Sequence, residues 1–403
     1  MPIINIFSGI YCKANKVVQK TIEKTGYRLV TDRDTAAEAS KMSGMPENKI
    51  MKAFSGKTSV FNRFTHEKEC SIAQLRLALA GMLSEDNLII SGFSGLLIPR
   101  DITHTLQVCI IADMKSRTAE AMKRKSVSEK EATGIIEKSD ADNLSWVNML
   151  FKASDPWDAS LYDIVIPTNK VDADKAAEII YENISHEIIQ PTESSKKAVS
   201  DFSLSASVEV ATAKEGHAVG ISARDGAVTI TINTNVLMLG RLEEELKSIA
   251  FGVPGVKTVE TRVGKGFHKA DIYRKYDFEM PSKVLLVDDE REFVQTLSER
   301  LQMRDMGAAV AYDGDSALKL VNEDEPEVMI LDLKMPGIDG FEVLKRIKKD
   351  HPEIEVIILT GHGTDADEEL CMKLGAFAYL QKPVDIELLS DMLKKAYAKV
   401  RQG

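Results

Sequence analysis

The chain has 403 residues, of which 44% are hydrophobic and 28% charged, and its formal net charge is −10. This length predicts two to four domains that can each bury a core, and the composition excludes a largely disordered chain. The sequence has no apolar run of about 18 residues, which excludes a membrane span. Its first residues lack the basic region of a secretory signal, so we expect a cytoplasmic protein.

The negative charge is concentrated at the C-terminal end. Residues 281–403 contain 16 Lys and Arg against 25 Asp and Glu, whereas the rest of the chain contains 36 against 37. A nucleic-acid-binding surface needs clustered cations to meet the phosphate backbone, and the sequence has no basic stripe that would supply them. We therefore expect no nucleic-acid partner.

The four cysteines are far apart in the sequence and do not have the spacing of metal ligands: Cys12, Cys70, Cys109 and Cys371. In a cytoplasmic chain of this size they are expected to be free thiols. Cys12 has lysines close to it in the sequence, which predicts a lowered pKa for its thiol.

Two polar stretches divide the chain. Residues 190–200 indicate a linker, and the charged, aromatic stretch of residues 264–282 indicates a second connector. The resulting units are residues 1–189, 200–264 and 282–403.

The first unit alternates short apolar runs with helical patterns, which predicts a parallel sheet covered by helices on both faces. Strands are predicted at residues 3–7, 87–91, 105–111 and 163–166, and helices at residues 13–25, 72–83, 115–124, 129–137 and 173–184.

The middle unit has a different pattern. Asp225-Gly226 stands between two alternating runs, and this dipeptide is a strong hairpin signal because the turn needs positive φ. The unit is predicted to be a small α+β domain. Its strands are expected at residues 202–213, 219–223, 227–234 and 256–263, with a helix at residues 241–250.

The last unit alternates again and predicts five βα units in a doubly wound domain. Strands are expected at residues 283–287, 308–312, 328–333, 356–360 and 378–380, and helices near residues 291–303, 315–323, 340–349, 367–374 and 385–400.

Polar side chains follow the strands of this last unit. Asp288 and Asp289 end its first strand, and Asp332 ends its third. Neighbouring parallel strands would bring these carboxylates together, and a hard cation such as Mg²⁺ would neutralise them. Thr360 ends the fourth strand and Lys382 follows the fifth, and both side chains can hold phosphoryl oxygens. Together these residues indicate phosphorylation of a carboxylate, with Asp332 as the nucleophile and Lys382 as the cation that stabilises the phosphoryl group.

The same residues lie in motifs that resemble a response-regulator receiver domain. These motifs are Val287-Asp-Asp-Glu290, Leu331-Asp-Leu-Lys-Met-Pro-Gly337 with Asp339-Gly340, Leu359-Thr-Gly361 and Lys382-Pro383. The resemblance covers residues 282–403 and implies a flavodoxin-like (βα)₅ fold. It also implies two-component signalling, with a sensor histidine kinase as partner and dimerisation through this domain.

The resemblance assigns a role to each matching position. Asp332 is the phosphoacceptor, and Asp288 and Asp289 hold Mg²⁺ with a backbone carbonyl near Lys334. Thr360 is the switch hydroxyl, Lys382 contacts the phosphoryl group, and Tyr379 is the aromatic that swings inward on activation. The Lys382-Pro383 peptide bond is expected to be cis. No effector such as a helix-turn-helix follows in the sequence, so the output is expected upstream or in a partner.

A phosphate-binding loop is expected after the first strand, but the residues there match its sequence motif only in part. Gly9 matches the first position of G-x-x-x-x-G-K-[ST], whereas Ala14, Asn15 and Lys16 replace the second glycine, the lysine and the hydroxyl residue. Lys13 and Lys16 can still meet a phosphate, so Gly9, Lys13 and Lys16 are candidate nucleotide-binding residues.

Most of residues 1–185 resembles cytidylate-kinase-like P-loop proteins. The resemblance is carried by Leu88-Ile-Ile-Ser-Gly-Phe-Ser94, Leu106-Gln-Val-Cys-Ile-Ile-Ala-Asp113, Arg117, Arg124, Ile136-Glu-Lys-Ser-Asp140 and Leu161-Tyr-Asp-Ile-Val-Ile-Pro-Thr168. It implies a lid around residues 115–143, but Asn143 stands where an arginine is expected.

Two interpretations of this unit remain open. One is a degenerate kinase fold kept as a nucleotide sensor or interaction module. The other is an active nucleoside monophosphate kinase, gated by the receiver and binding ATP and CMP, with its cations relocated to Lys13, Lys16, Arg117 and Arg124.

The middle unit resembles a BON-like α+β module around Asp225-Gly-Ala-Val-Thr-Ile and Val253-Pro-Gly-Val-Lys-Thr-Val259. Such modules bind ligands, membranes or partners. The alternative is a spacer between two α/β domains. Taken together, the sequence predicts a three-domain signalling protein whose Asp332 is phosphorylated and whose receiver controls the kinase-like unit.

Overall fold

The structure is a computed structural model of the chain. It describes residues 2–56, 62, 66–235, 239–264, 269–270, 281, 283–302, 304, 306–361 and 363–400. These residues fall into two compact units. One contains an N-terminal sheet and the middle α+β module, and the other contains the C-terminal sheet. Within the described ranges, no helix combines the length and the apolar character that crossing a membrane requires.

The N-terminal sheet has five parallel strands in the order β2-β3-β1-β4-β5. They are β1 Ile3–Ser8, β2 Arg28–Thr31, β3 Leu88–Ser91, β4 Thr105–Ile111 and β5 Ile164–Pro167. The parallel α/β architecture predicted from the sequence is confirmed. The short β2 was missed because it is only four residues long and two of them are exposed.

Helices cover this sheet. They are Ala14–Thr25, Asp32–Ser43, Glu47–Met51, Glu67–Met82, Met114–Lys125, Glu129–Phe151 and Ala173–Ile184. Helix Glu129–Phe151 extends well beyond the predicted residue 137, because Ile136, Trp146 and Val147 continue its buried face. Helix Asp32–Ser43 was not predicted, although Thr31 and Asp34 form a capping box at its start.

A long helix, Glu193–Lys214, corrects two predictions. Residues 190–200 were expected to be a linker and residues 202–213 a strand. Small and apolar residues at every fourth position, Ala198, Phe202, Ala206 and Val210, instead form one buried helical face. The first half of the helix packs into the core of the N-terminal sheet, and Val208 packs into the core of the middle module. One helix therefore belongs to two cores.

The middle module is a small α+β unit, as predicted. Strands β6 Gly220–Arg224 and β7 Ala227–Ile232 form an antiparallel hairpin, and β9 Thr258–Val263 pairs in parallel with β7. Asp225 and Gly226 have φ of 57° and 84°, which is the positive φ that the hairpin prediction required. Helix Leu239–Phe251 packs on the sheet. Two-residue strands β8 Thr234–Asn235 and β10 Lys269–Ala270 also pair in parallel.

The connector predicted at residues 264–282 lies mostly outside the described residues. The C-terminal sheet follows it, with parallel strands in the order β12-β11-β13-β14-β15. This is the flavodoxin-like order 2-1-3-4-5, and it confirms the predicted (βα)₅ fold. The strands are β11 Val284–Val287, β12 Ala308–Ala311, β13 Val328–Leu331, β14 Glu355–Thr360 and β15 Ala378–Gln381. The helices are Arg291–Gln302, Gly314–Glu323, Gly340–Asp350, Asp365–Lys373 and Ile386–Val400.

Candidate functional site

Three carboxylates meet at the carboxyl edge of the C-terminal sheet. Asp288 and Asp332 directly follow the paired strands β11 and β13, and Asp289 is next in sequence. Their ligand oxygens lie within 4.8 Å of one another. Asp288 and Asp332 are each 5% exposed, whereas Asp289 is open to solvent. An all-oxygen cluster with one open side fits Mg²⁺, which keeps part of its water shell when bound to proteins.

Lys382 enters this cluster from the end of β15. Its Nζ lies 2.6 Å from Asp288 Oδ2, 3.0 Å from Glu290 Oε1 and 3.4 Å from Asp332 Oδ2. Burial would lower the pKa of Lys382, but its hydrogen bonds to Asp288 and Glu290 outweigh burial and raise it. The pKa of Asp288 is raised because burial disfavours its charged form more than Lys382 favours it. The predicted cis bond between Lys382 and Pro383 is confirmed.

The two oxygens of Asp332 have different surroundings. Oδ1 accepts a 2.7 Å hydrogen bond from the Leu333 backbone N–H, while Oδ2 faces Lys382. Gly340 begins the following helix, and a Cβ there would overlap the Asp332 carbonyl oxygen. The loop after β13 therefore packs tightly under Asp332 and directs Oδ2 toward the cluster.

Thr360 and Tyr379 lie on β14 and β15, the two strands that follow β13 in the order of the sheet. Thr360 ends β14 and is 1% exposed. The Tyr379 side chain points inward, and its hydroxyl is buried without a hydrogen-bond partner among the described residues. Gly363 makes this position available, because a Cβ there would overlap the Tyr379 hydroxyl. Sequence reasoning missed Gly363, and the only signal was a second glycine two residues after Gly361.

The loop after β1 keeps an unusual backbone without the expected glycines. Tyr11 and Lys13 have φ of 61° and 57°, in the left-handed region that favours glycine. Helix Ala14–Thr25 begins directly after Lys13, which forms no side-chain cap. Of the candidate nucleotide-binding residues, Gly9 lies on the inner side of this loop beside Arg117, and Lys13 and Lys16 line a cleft on its outer side.

Arg117 is not the free cation that the active-kinase interpretation requires. It is 5% exposed and forms a bidentate ion pair with Asp140, with both N–O distances 2.7 Å. Its Nε also donates to the Ile10 carbonyl at 2.9 Å. Burial would lower the pKa of Arg117, but Asp140 raises it. The second candidate, Arg124, pairs with Glu120 on the same helix, and Asn143 is buried.

Cys12 also differs from the prediction. Its side chain is buried, and burial raises the pKa of its thiol even though Arg117 nearby acts in the opposite direction. The thiol is therefore less acidic than the neighbouring lysines suggested. All four cysteines are free, as predicted.

The cleft beside the loop has a volume of about 700 Å³. Lys13, Lys16 and Lys170 line it, together with the Lys20–Glu23 ion pair. Thr168 closes one side by donating to the Cys12 carbonyl at 2.7 Å. The lysines that the sequence singled out thus face open space and are accessible to an anionic ligand.

Family models match two parts of the chain. The response regulator receiver domain matches residues 284–394, and the cytidylate kinase-like family matches residues 3–170. Both resemblances found in the sequence are confirmed. The resemblance of the middle module to BON-like domains stays a prediction.

Curated relatives match the receiver part. The transcriptional regulatory protein CpxR of Escherichia coli K12 is 41% identical over 113 residues, which cover 27% of this chain and 47% of CpxR. The CpxR of Klebsiella pneumoniae matches with the same identity and coverage. This chain therefore spans about half the length of the curated relatives it matches.

Solved structures are similar to the same part. A response regulator receiver domain protein from Clostridium thermocellum is 36% identical and covers 30% of this chain and 97% of its own, with a TM-score of 0.29. The receiver domain of NtrX from Brucella abortus is 31% identical and covers 28% of this chain and 98% of its own, with a TM-score of 0.28.

Proposed function

We propose that this chain, which contains a response regulator receiver domain and a cytidylate kinase-like domain, accepts a phosphoryl group on Asp332 and thereby controls its kinase-like domain. The observation that carries the proposal is the position of Asp332 Oδ2. It lies in a three-carboxylate cluster, 3.4 Å from the Lys382 ammonium.

The reaction is a nucleophilic displacement at phosphorus. Asp332 Oδ2 forms the new O–P bond while the bond between phosphorus and the donor's leaving atom breaks, and the leaving group keeps the electron pair. The donor is a phosphohistidine of a sensor histidine kinase or a small phosphodonor. The Leu333 N–H holds Oδ1 and so directs Oδ2 at the phosphorus.

Asp288, Asp289 and Asp332 would hold Mg²⁺. When bound, the ion supplies charge neutralisation for the carboxylates and the phosphoryl oxygens. Lys382 then exchanges part of its contact with Asp288 and Glu290 for a phosphoryl oxygen, where its charge stabilises the product.

The phosphoryl group changes the surroundings of two switch residues. Thr360 at the end of β14 supplies a hydroxyl to the phosphoryl oxygens, and Tyr379 occupies the space next to Thr360 and Gly363. A surface that includes Tyr379 then differs between the two states and passes the signal to the upstream domains or to a second protomer.

The kinase-like domain acts in this proposal as a sensor or interaction module. Asn143 replaces the expected lid arginine, Arg117 is held in its ion pair with Asp140, and the loop lacks the Mg²⁺-binding hydroxyl. The second candidate function is nucleotide binding with turnover gated by the receiver. It is favoured by the open cleft that Lys13 and Lys16 line.

A phosphorylation assay tests the first part of the proposal, that Asp332 accepts a phosphoryl group. The intact chain and Asp332→Asn are incubated with acetyl phosphate and Mg²⁺, and phosphoryl uptake is measured by intact-protein mass spectrometry. Asp339→Asn is the matched control, because Asp339 caps the next helix and asparagine caps equally well. We expect uptake in the wild type and the control and none in Asp332→Asn. Equal uptake in Asp332→Asn would refute the proposal.

Calorimetric titration with ATP, ADP, CMP and dCMP, with and without beryllofluoride, tests whether the receiver domain controls nucleotide binding by the kinase-like domain. Nucleotide affinity that changes with beryllofluoride would make the first domain a receiver-controlled nucleotide site. Lys13→Ala and Lys16→Ala should then weaken binding, whereas Lys24→Ala at the far end of the same helix should not. Turnover of CMP would favour the gated kinase. An absence of binding in both states would leave protein partners as the output.

A further inference from the structure

A second cluster of ligating side chains lies at the opposite edge of the C-terminal sheet. Glu325 precedes β13, and His351 and Glu353 precede β14, so the cluster sits at the amino ends of two paired strands. The carboxylate cluster around Asp332 sits at their carboxyl ends. The two clusters share no residue.

One imidazole nitrogen in this cluster faces two carboxylates. His351 Nδ1 lies 2.8 Å from Glu325 Oε1 and 3.6 Å from Glu353 Oε1. The three ligand atoms lie within 4.8 Å of one another. Both carboxylates are about half exposed, so an ion can enter from solvent without opening the core.

The other imidazole nitrogen is held by a separate residue. His351 Nε2 lies 3.4 Å from Asn322 Oδ1. The Asn322 amide is itself oriented, because its Nδ2 donates to the Leu318 carbonyl at 2.9 Å. His351 Nδ1 carries the proton that it shares with Glu325 in the absence of a cation. With a cation in place of that proton, Nε2 would keep its own and donate it to Asn322. Outer hydrogen bonds of this kind fix the tautomer of histidines that bind metals.

The carboxylates of Glu325 and Glu353 repel each other when no cation lies between them. Their ligand oxygens lie within 4.8 Å of each other, so a proton or a cation between them is favoured. A divalent cation would replace that proton and any proton on Nδ1, and it would be attracted by two negative charges. The cluster therefore has both the negative charge and the close ligand atoms that a cation site needs.

We propose that Glu325, His351 and Glu353 form a binding site for a Zn²⁺-type divalent transition-metal ion. One nitrogen and two oxygens with a water in the fourth position suit Zn²⁺, whereas Mg²⁺ prefers oxygen ligands alone. Tetrahedral bonds of about 2.0–2.2 Å bring such ligand atoms to roughly 3.3 Å from one another. Rotation of the exposed glutamates supplies that approach.

Calorimetric titration of the tag-free chain with ZnCl₂ tests the site, with excess Mg²⁺ present to occupy the cluster around Asp332. We expect one Zn²⁺ per chain. His351→Gln and Glu353→Gln should weaken the affinity by more than about tenfold, and Asn322→Ala by about tenfold through loss of the oriented tautomer. His186→Gln, which changes an exposed histidine of the other unit, should bind as the wild type does.

Two readouts separate loss of the site from loss of the fold. Each variant should retain phosphoryl uptake on Asp332, since the cluster lies at the other edge of the sheet. Co²⁺ should give visible absorption bands in the wild type that disappear in His351→Gln. Wild-type Zn²⁺ affinity in both His351→Gln and Glu353→Gln would overturn the proposal, as would loss of binding in Asp332→Asn or no binding by the wild type.

Discussion

Arg117 and Asp140 form a bidentate ion pair beside the loop that follows β1, with both N–O distances 2.7 Å. Arg117 also lies against Gly9, where a Cβ would come within 3.0 Å of Nη2. The pair joins helices Met114–Lys125 and Glu129–Phe151 to the loop. In a phosphoryl-transfer site such an arginine would be directed at the substrate, whereas here it stabilises the protein.

We expect Asp140→Asn to lower the free energy of unfolding of the N-terminal unit by about 2–3 kcal/mol. The variant leaves Arg117 buried without its charge partner, and the partial exposure of Asp140 moderates the loss. Guanidinium unfolding followed by tryptophan fluorescence measures the change, because Trp146 and Trp157 are the two tryptophans and both pack in this core.

The matched control is Glu120→Gln, which breaks the exposed Arg124–Glu120 pair on the same helix. It should cost less than about 0.5 kcal/mol, as is usual for such pairs. A loss from Asp140→Asn no larger than that of the control would contradict the stabilising role of Arg117.

His104 predicts a pH dependence of stability in the same unit. Its Nδ1 lies 2.8 Å from Ser195 Oγ, near the start of helix Glu193–Lys214, and burial lowers the pKa of His104. The unfolded chain then takes up a proton near pH 6.5, while the folded chain does so only at lower pH. The stabilising contribution of neutral His104 is therefore complete above pH 6.5 and is lost as the pH falls below it, by at most about 1.4 kcal/mol per pH unit.

Unfolding free energies measured between pH 7.5 and 5.5 test this. His104→Gln keeps a hydrogen-bonding side chain but has no proton to gain, so its stability should fall less steeply than that of the wild type. His186→Gln removes an exposed histidine and should retain the wild-type slope. Identical slopes for His104→Gln and the wild type would rule out His104 as the source.

Ser205 lies near the middle of helix Glu193–Lys214, between the residues that pack in the two cores. Ser205→Pro should disrupt the helix at a cost of about 3 kcal/mol and separate the middle module from the N-terminal sheet. Limited proteolysis should then cut the variant near residue 205, whereas Ser205→Ala should resist cleavage as the wild type does. Resistance of Ser205→Pro would show that the helix does not hold the two cores together.

The sequence predicted that the carboxylates of the C-terminal sheet lie together, because Asp288 and Asp332 stand directly after buried strands. The parallel order then places Asp288 and Asp332 side by side, whatever the details of the helices. The same logic failed for helix Glu193–Lys214. Alternating residues such as Leu204, Ala206 and Val208 imitate a strand, and only packing against two cores selects the helix.

The sequence predicts that the loop after β1 departs from the phosphate-binding motif, but it does not predict the backbone conformation of that loop. Left-handed φ at Tyr11 and Lys13 has no sequence signal, because neither residue is a glycine. The Arg117–Asp140 pair joins two helices, and its partners are 23 residues apart, so no helical spacing relates them. Burial reverses the expected pKa shift of Cys12.

Gly363 is the position where a single methyl group should affect Tyr379, the proposed switch residue. The inward position of Tyr379 requires the space that Gly363 leaves, and the backbone there has no positive φ that alanine would strain. Gly363→Ala should therefore displace the Tyr379 ring. If the phosphorylated state requires the inward ring, the variant should bind beryllofluoride with Mg²⁺ about tenfold more weakly, which corresponds to about 1.4 kcal/mol.

Gly361→Ala is the matched control for this prediction. The nearest atom to a Cβ at Gly361 is Lys382 Cδ at 3.8 Å, which is an ordinary contact, so a methyl group fits without displacing Lys382. Calorimetric titration with beryllofluoride and Mg²⁺ compares the two variants with the wild type. Weaker binding in Gly363→Ala alone would show that the space beside Tyr379 is coupled to Asp332, the proposed phosphoacceptor. Equal affinities in all three would mean that the ring position and phosphorylation are independent.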